Sequence, residues 1–437
     1  MIIRWFLVCA AAAATVPLHG GVFEKVWLKG TTDKEPLSYL PGETMRFTVS
    51  PMALFDDVPD GKYEMRWKQS DDYEMVTEGS MPFTGDPASF EVCLDRPGFV
   101  RLEVNVCDTA TGECQVFFDG GAAVMPEALE APDEPMDFDA FWEGQFKRLD
   151  IVPIKADLLE TDCPNPKCRR WAVRVDCAGL RPVTGYLSIP KAVDGGARFP
   201  CRLTTQGYNK DAFLPNKPSS ARDDEIVFDI NAHGLKLPEF GATEADRKAL
   251  RWEVRSHDKN YAYDPAQNSD PETAYFNGMV LRVKRALQFL KTLQGWNGQD
   301  LYAEGGSQGG LQTIWAAASG EGVTKAFPAI VWCCDLPMNN PQPGKRKRDP
   351  RAGGCIPWVP ALGYYDAVTW AKRIPKTCRV EITRAGLGDY TSPPSGIAKL
   401  WNAIHPGNKR IVWIQGSRHT YVPPPYAGRD MVIEDAP

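Results

Sequence analysis

Histidine is scarce: the 437 residues hold five. One, His19, falls in an N-terminal stretch that reads as a removable leader, so imidazole chemistry rests on His233, His257, His405 or His419. Net positive charge is lacking too. The formal charge of −6 gives no reason to expect nucleic acid or an acidic membrane surface as a partner. Lys345-Arg-Lys-Arg348 is the only sharp basic run, and its flanking prolines make it a solvated loop. Long apolar runs are missing: Trp5 to Ala14 is too short to span a bilayer, and no later stretch is long enough. No internal repeat is visible. No cysteine pair is followed by His or Cys partners at ligand spacing, so no metal site is expected.

What is present describes an ordinary globular protein of two or three domains, 43% hydrophobic and 24% charged. Met1-Ile-Ile-Arg4, a short apolar core and the small residues up to Gly21 form a secretory signal, residues 1–21, and predict a periplasmic or secreted protein. Twelve cysteines suit an oxidising compartment. Setting Cys9 aside leaves an odd number, so at least one has no partner within the chain. Cys107 and Cys114 bracket a hairpin turn and predict a disulfide. Cys163 and Cys168 form a second local pair by spacing. Cys333-Cys334 read as buried thiols in an apolar strand.

Residues 22–126 read as all-β. Thr44–Ser50, Tyr63–Trp67, Ser89–Leu94 and Phe99–Val106 alternate apolar and polar, with turn residues between, as in a small immunoglobulin-like sandwich. It contains no histidine. Packing or spacing is its expected role, with carbohydrate binding through its aromatics as the alternative. A linker rich in proline and acid, residues 127–135, leads to an amphipathic helix over 137–149, capped by Asp137. From residue 136 onward strands alternate with helices, which predicts an α/β domain with a mainly parallel sheet. Its strands include Arg170–Val175 paired antiparallel with Val183–Ile189, then Phe199–Thr204, Glu225–Ile230, Ala329–Cys334, Arg379–Thr383 and finally Lys409–Ile414.

The centre of this domain is Gly305-Gly306-Ser307-Gln308-Gly309, a G-x-S-x-G preceded by a short strand and followed by the helix former Leu311 to Ser319. Strand, tight turn and helix make this a nucleophile elbow, with Ser307 at the apex. A serine nucleophile needs a base, and the base an orienting acid, in the order Ser, acid, His. His419 follows the last predicted strand at the edge where ligands sit; His405 lies on the opposite edge. Asp389 follows the preceding strand, and Asp335 is its rival after an earlier one. The loop Thr205-Gln-Gly-Tyr208-Asn would supply one oxyanion donor, the backbone N–H of Tyr208, and the elbow the other, that of Gln308.

With these residues laid out, the chain from about Asp137 to Tyr421 resembles the acetylxylan esterase and cephalosporin C deacetylase family, carbohydrate esterase family seven. The resemblance rests on Phe138-Asp-x-Phe-Trp142, Gly207-Tyr-Asn209, G-x-S-Q-G-G at 305–310, Gly386-Leu-x-Asp389 followed by Pro393-Pro394-Ser395, and the late His419. It implies an α/β-hydrolase fold, a Ser307–Asp389–His419 triad and oxyanion donors at Tyr208 and Gln308. It also implies acetylated oligo- or polysaccharide substrates and no cofactor. The family's ring-shaped hexamer implies a homo-oligomer, which the additional β domain could alter. Two motifs depart: Asn231-Ala232-His233 stands for Arg-Gly-Gln, and His419-Thr420 for His-Glu. The expected activity is deacetylation of sugar esters through an acetyl-enzyme. The alternatives are a prolyl-oligopeptidase-like peptidase and a non-catalytic carbohydrate-binding protein; the Gln after the serine and the intact Ser, Asp and His weigh against them.

Overall fold

The computed structural model describes residues 28–52, 61–208, 221–339, 356–423 and 430–435. The leader 1–21, Asn209 and the basic run 345–348 lie outside the described residues.

Alternating polarity builds the first seven strands: β1 (Leu28–Thr32), β2 (Thr44–Pro51), β3 (Tyr63–Asp71), β4 (Val76–Pro82), β5 (Ala88–Cys93), β6 (Gly98–Asp108) and β7 (Cys114–Val124). On β2, Met45, Phe47 and Val49 are buried while Thr44 and Arg46 face water, the period of two that a half-buried strand requires. The strands form two antiparallel sheets, β1-β2-β5 and β4-β3-β6-β7. They close over Phe47, Met65, Leu102, Val104 and Phe118 as an immunoglobulin-like sandwich whose fourth strand has joined the second sheet. Cys107 and Cys114 face each other across β6 and β7 and are joined. Cys163 and Cys168 are not: Cys168 Sγ instead donates to the Arg222 carbonyl at 3.2 Å.

The second body begins with α1 (Phe138–Asp150) and the strands β8 (Ala156–Thr161), β9 (Cys168–Val175), β10 (Val183–Pro190), β11 (Phe199–Thr205) and β12 (Ile226–Ile230). Then come α2 (Glu244–Glu253), α3 (Tyr275–Leu290), β13 (Trp296–Gly306), α4 (Gln308–Ala318), β14 (Lys325–Ala329) and α5 (Ala367–Ala371). It ends with β15 (Arg379–Gly386), α6 (Pro394–Ala403), β16 (Lys409–Ile414) and β17 (Asp430–Asp435). Ten strands form one sheet in the order β17-β16-β15-β14-β13-β11-β12-β10-β9-β8. From β12 to β16 all pairings are parallel; β8 to β10 on one flank and β17 on the other run antiparallel. This is an α/β-hydrolase fold, with β13 and α4 at its centre.

Three local expectations change. The segment 329–334 is not a strand: β14 ends at Ala329, and Ile330 and Cys333 adopt positive φ angles of 39° and 60°. The run is apolar because it is buried under the elbow, where the Trp332 N–H donates to the Ser307 carbonyl at 3.2 Å. Asp137 stands at the start of α1 but makes no side-chain cap; its carboxylate accepts from the Tyr364 hydroxyl instead. And β16 is not the last strand, because β17 pairs along its outer edge.

The sandwich is fastened to the sheet. Phe99 and Ala123 belong to the same apolar core as β15 and β16, and the Phe99 ring stacks on Trp413 with centroids 5.8 Å apart.

Candidate active site

Ser307 sits between β13 and α4 with φ 58° and ψ −120°, a conformation that L-residues avoid and that an elbow imposes. Two glycines make the turn feasible. A Cβ on Gly305 would lie 2.3 Å from Thr205 Oγ1, and one on Gly309 2.5 Å from the Thr205 carbonyl oxygen. Elbow and β11 are therefore in backbone contact, and no larger residue fits at either position.

The long reach of the chain brings Asp389 and His419 to this serine. His419 Nε2 lies 2.8 Å from Ser307 Oγ. His419 Nδ1 lies 2.9 Å from Asp389 Oδ2 and 3.1 Å from Oδ1. Since a carboxylate can only accept, Nδ1 carries the proton and Nε2 is left to accept from the serine hydroxyl. Asp389 is buried and also accepts from the Thr391 and Ser392 backbone N–H groups at 3.1 and 3.0 Å. Arg384 Nη2 donates to the His419 carbonyl at 2.8 Å and steadies this candidate base from behind.

The rival acid is occupied elsewhere. Asp335 Oδ2 pairs with Lys399 Nζ at 2.5 Å in a buried contact. Its neighbour Asp366 caps α5, and burial, then the charge of Asp335, push the Asp366 carboxyl up to about 7. His405 is exposed after α6, and His257 reaches Asp264 at 2.6 Å on the surface. Among the described residues, the contacts seen for these groups lead away from the elbow.

The Tyr208 loop runs against the elbow: a Cβ on Gly207 would lie 3.4 Å from the Gly306 carbonyl oxygen and 3.8 Å from Ser307 Cβ. Gln308 is the first residue of α4, where backbone N–H groups lack intrahelical partners and the helix dipole favours negative charge. Backbone N–H groups at the start of α4 therefore lie beside Ser307. Burial holds the Tyr208 phenol neutral, pushing it up to about 12, with the nearby Tyr275 adding to the shift.

An aromatic wall was not anticipated from sequence. The Tyr208 ring packs 4.5 Å from Tyr261, 5.3 Å from Trp332 and 5.9 Å from Tyr263, measured between centroids. The three partners come from the loop after α2 and the turn after β14, where no periodic pattern marks them. Asn231-Ala232-His233 supports this wall. Asn231 Oδ1 accepts from the His233 and Leu235 N–H groups at 2.9 and 3.2 Å, and Arg282 donates twice to the Ala232 carbonyl, at 3.0 and 2.7 Å. His233 itself is fully buried, with Nδ1 bonded to the Tyr275 hydroxyl. Thr420, in contrast, is exposed beside the base.

A parallel sheet, a strained serine turn and a bonded Ser–His–Asp chain define a hydrolase of the α/β class. The family model described as acetyl xylan esterase (AXE1) matches residues 127–431, and the chain belongs to that family, a group of carboxylic ester hydrolases. Among curated proteins it is similar to the acetyl esterase Axe7A of Xylanibacter ruminicola, 26% identical over 332 residues, covering 71% of this chain and 68% of that one. Among solved structures it is similar to an acetyl xylan esterase from Paenibacillus sp. R4, with TM-score 0.53, 21% identity, and 67% and 93% of the two chains covered. It is likewise similar to acetyl xylan esterase 1 from Thermoanaerobacterium sp. JW/SL YS485, with TM-score 0.51, 17% identity, and 67% and 92% covered. These structural likenesses speak for the fold.

Proposed function

We propose that the chain is an exported serine esterase that removes acetyl groups from acetylated saccharides such as acetylxylan. Ser307 Oγ attacks the acetyl carbonyl carbon while His419 Nε2 takes its proton, and Asp389 stabilises the imidazolium that forms. The Tyr208 and Gln308 N–H groups receive the developing oxyanion. Collapse of the tetrahedral species breaks the ester C–O bond. His419 returns the proton to the leaving sugar oxygen, and Ser307 is left acetylated. Water, deprotonated by His419, then releases acetate and restores the serine. The observation that carries this reading is the Ser307–His419–Asp389 chain of contacts at 2.8 and 2.9 Å, in a member of an acetyl xylan esterase family.

Export rests on the leader at residues 1–21, and the division into sandwich 22–126, linker 127–135 and esterase domain 136–437 belongs to the same proposal. A preference for short acyl groups is drawn from membership of an acetyl xylan esterase family. A panel of acetylated xylo-oligosaccharides and p-nitrophenyl esters tests the reading: kcat/KM should be highest for acetyl and fall through butyryl to octanoyl. Faster turnover of octanoyl than of acetyl esters would contradict it.

A further inference from the structure

The sandwich touches the esterase body at the two loops that carry the candidate acid and base. Asp119 of β7 is buried, and its carboxylate takes Arg101 Nε at 2.9 Å and Nη2 at 2.7 Å. Arg418 Nε approaches the same carboxylate at 3.1 Å from the other body. The Arg418 guanidinium lies 3.7 Å over the ring of Phe117, also on β7, and Phe117 meets Tyr421 edge to face at 5.1 Å. Arg101 in turn covers the Tyr390 ring at 4.3 Å. Arg418 directly precedes His419, and Tyr390 directly follows Asp389.

Backbone contacts repeat the pattern. The Gln415 side chain bonds both sides of one residue of β7, accepting from the Gly121 N–H at 2.9 Å and donating to the Gly121 carbonyl at 2.8 Å. Gly388, next to Asp389, approaches β7 so closely that a Cβ there would lie 2.0 Å from the Asp119 carbonyl oxygen. Burial alone would lower the Arg101 pKa, but the hydrogen bonds and charge of Asp119 outweigh it and hold the guanidinium above its ordinary value.

We infer that the sandwich is a positioning element of the esterase site: Asp119 and Phe117, with Arg101, hold Arg418 and Tyr390 and thereby fix His419 and Asp389 against Ser307. A buried carboxylate shared by two guanidiniums is expensive to desolvate and tolerates little displacement, so it works as a locator more than as a source of stability. The triad needs that location, because its three members come from different loops and a shift of about 1 Å between them can cost about 100-fold in rate. The inference rests on the proposed triad.

The test uses the full chain and five variants: Arg418→Met, Arg418→Lys, Phe117→Leu, Ser307→Ala and, as a control on a sandwich surface away from the contact, Arg46→Ala. With acetylated xylo-oligosaccharide, Arg418→Met should lower kcat about 10- to 100-fold and leave KM within about twofold. Arg418→Lys, which keeps the charge facing Asp119, should recover part of the loss. Phe117→Leu should show a smaller fall in kcat with the same unchanged KM, and serves if Arg418→Met does not fold. Arg46→Ala should match the wild type. A folded Arg418→Met or Phe117→Leu with wild-type kcat would overturn the inference. So would an Arg418→Lys as slow as the methionine variant, or a rise in KM at constant kcat, which would make this contact a saccharide-binding surface. Ser307→Ala keeps the two readings apart. If it retains turnover, the triad reading fails; if it is dead while the clamp variants run at wild-type rate, only the clamp fails.

Discussion

His233 lies fully buried against Tyr261 and Tyr275, and burial, with the charges of Arg282 and Arg181, pushes its pKa down to about 3. His419 lies part-exposed between a carboxylate and the serine hydroxyl. Chain order alone separated the two in the sequence, since the fold supplies its base after the nucleophile; the burial that disarms His233 was not legible there. His419→Gln should lower kcat by about 10⁴-fold or more, and His233→Gln only moderately. His233 also gives a stability signature. Its folded pKa of about 3 lies below the unfolded value of 6.5, so as pH falls the unfolded chain takes this proton first. Its contribution is therefore complete above about pH 6.5 and is lost as pH falls toward about 3, by at most about 1.4 kcal/mol per pH unit. Urea unfolding of wild type and His233→Gln at several pH values reads this directly: the variant should have the shallower slope between about pH 6 and 4. Equal slopes would contradict the lowered His233 pKa, and a dead His233→Gln beside an active His419→Gln would reverse the assignment of the base.

At the scale of elements, the elbow was the most legible part of the chain. Strand, Gly-rich turn and helix former occur in sequence order, and the structure delivers them as β13, Ser307 and α4. The segment 329–334 was misread because burial writes the same apolar run into a core strand and into a turn packed under Ser307. Asp335 remained a rival acid for a related reason: sequence shows which strand a residue follows, but not that Lys399 waits for it. β1, β4, β8 and β17 were not read as strands, and for β4 the cause is visible: it is an edge strand with no residue fully buried. The elbow's tight backbone contact makes a prediction. Gly309→Ala would place a Cβ 2.5 Å from the Thr205 carbonyl oxygen, so β11 and α4 must separate. That overpacking should cost about 1–3 kcal/mol in chemical unfolding and lower kcat with it. A variant as stable and active as wild type would show that the turn has slack.

At the scale of the whole molecule, the alternation of strands and helices announced the α/β-hydrolase, and the motifs announced its family. The relation between the two bodies was hidden. Arg101, Phe117 and Asp119 are unremarked residues of the largely buried strands β6 and β7, and their partners Tyr390 and Arg418 lie far along the chain, so no spacing rule connects them. The fold makes them neighbours because β7 docks where β15 and β16 end, the same sheet edge that offers Asp389 and His419 to Ser307. Everything proposed for this protein therefore converges on one hydroxyl. The most direct measurement is kcat for release of acetate from acetylated xylo-oligosaccharide by Ser307→Ala, with a melting curve alongside. The account predicts a loss of about 10⁴-fold or more with the melting curve preserved. A folded Ser307→Ala that still releases acetate at close to the wild-type rate would contradict it.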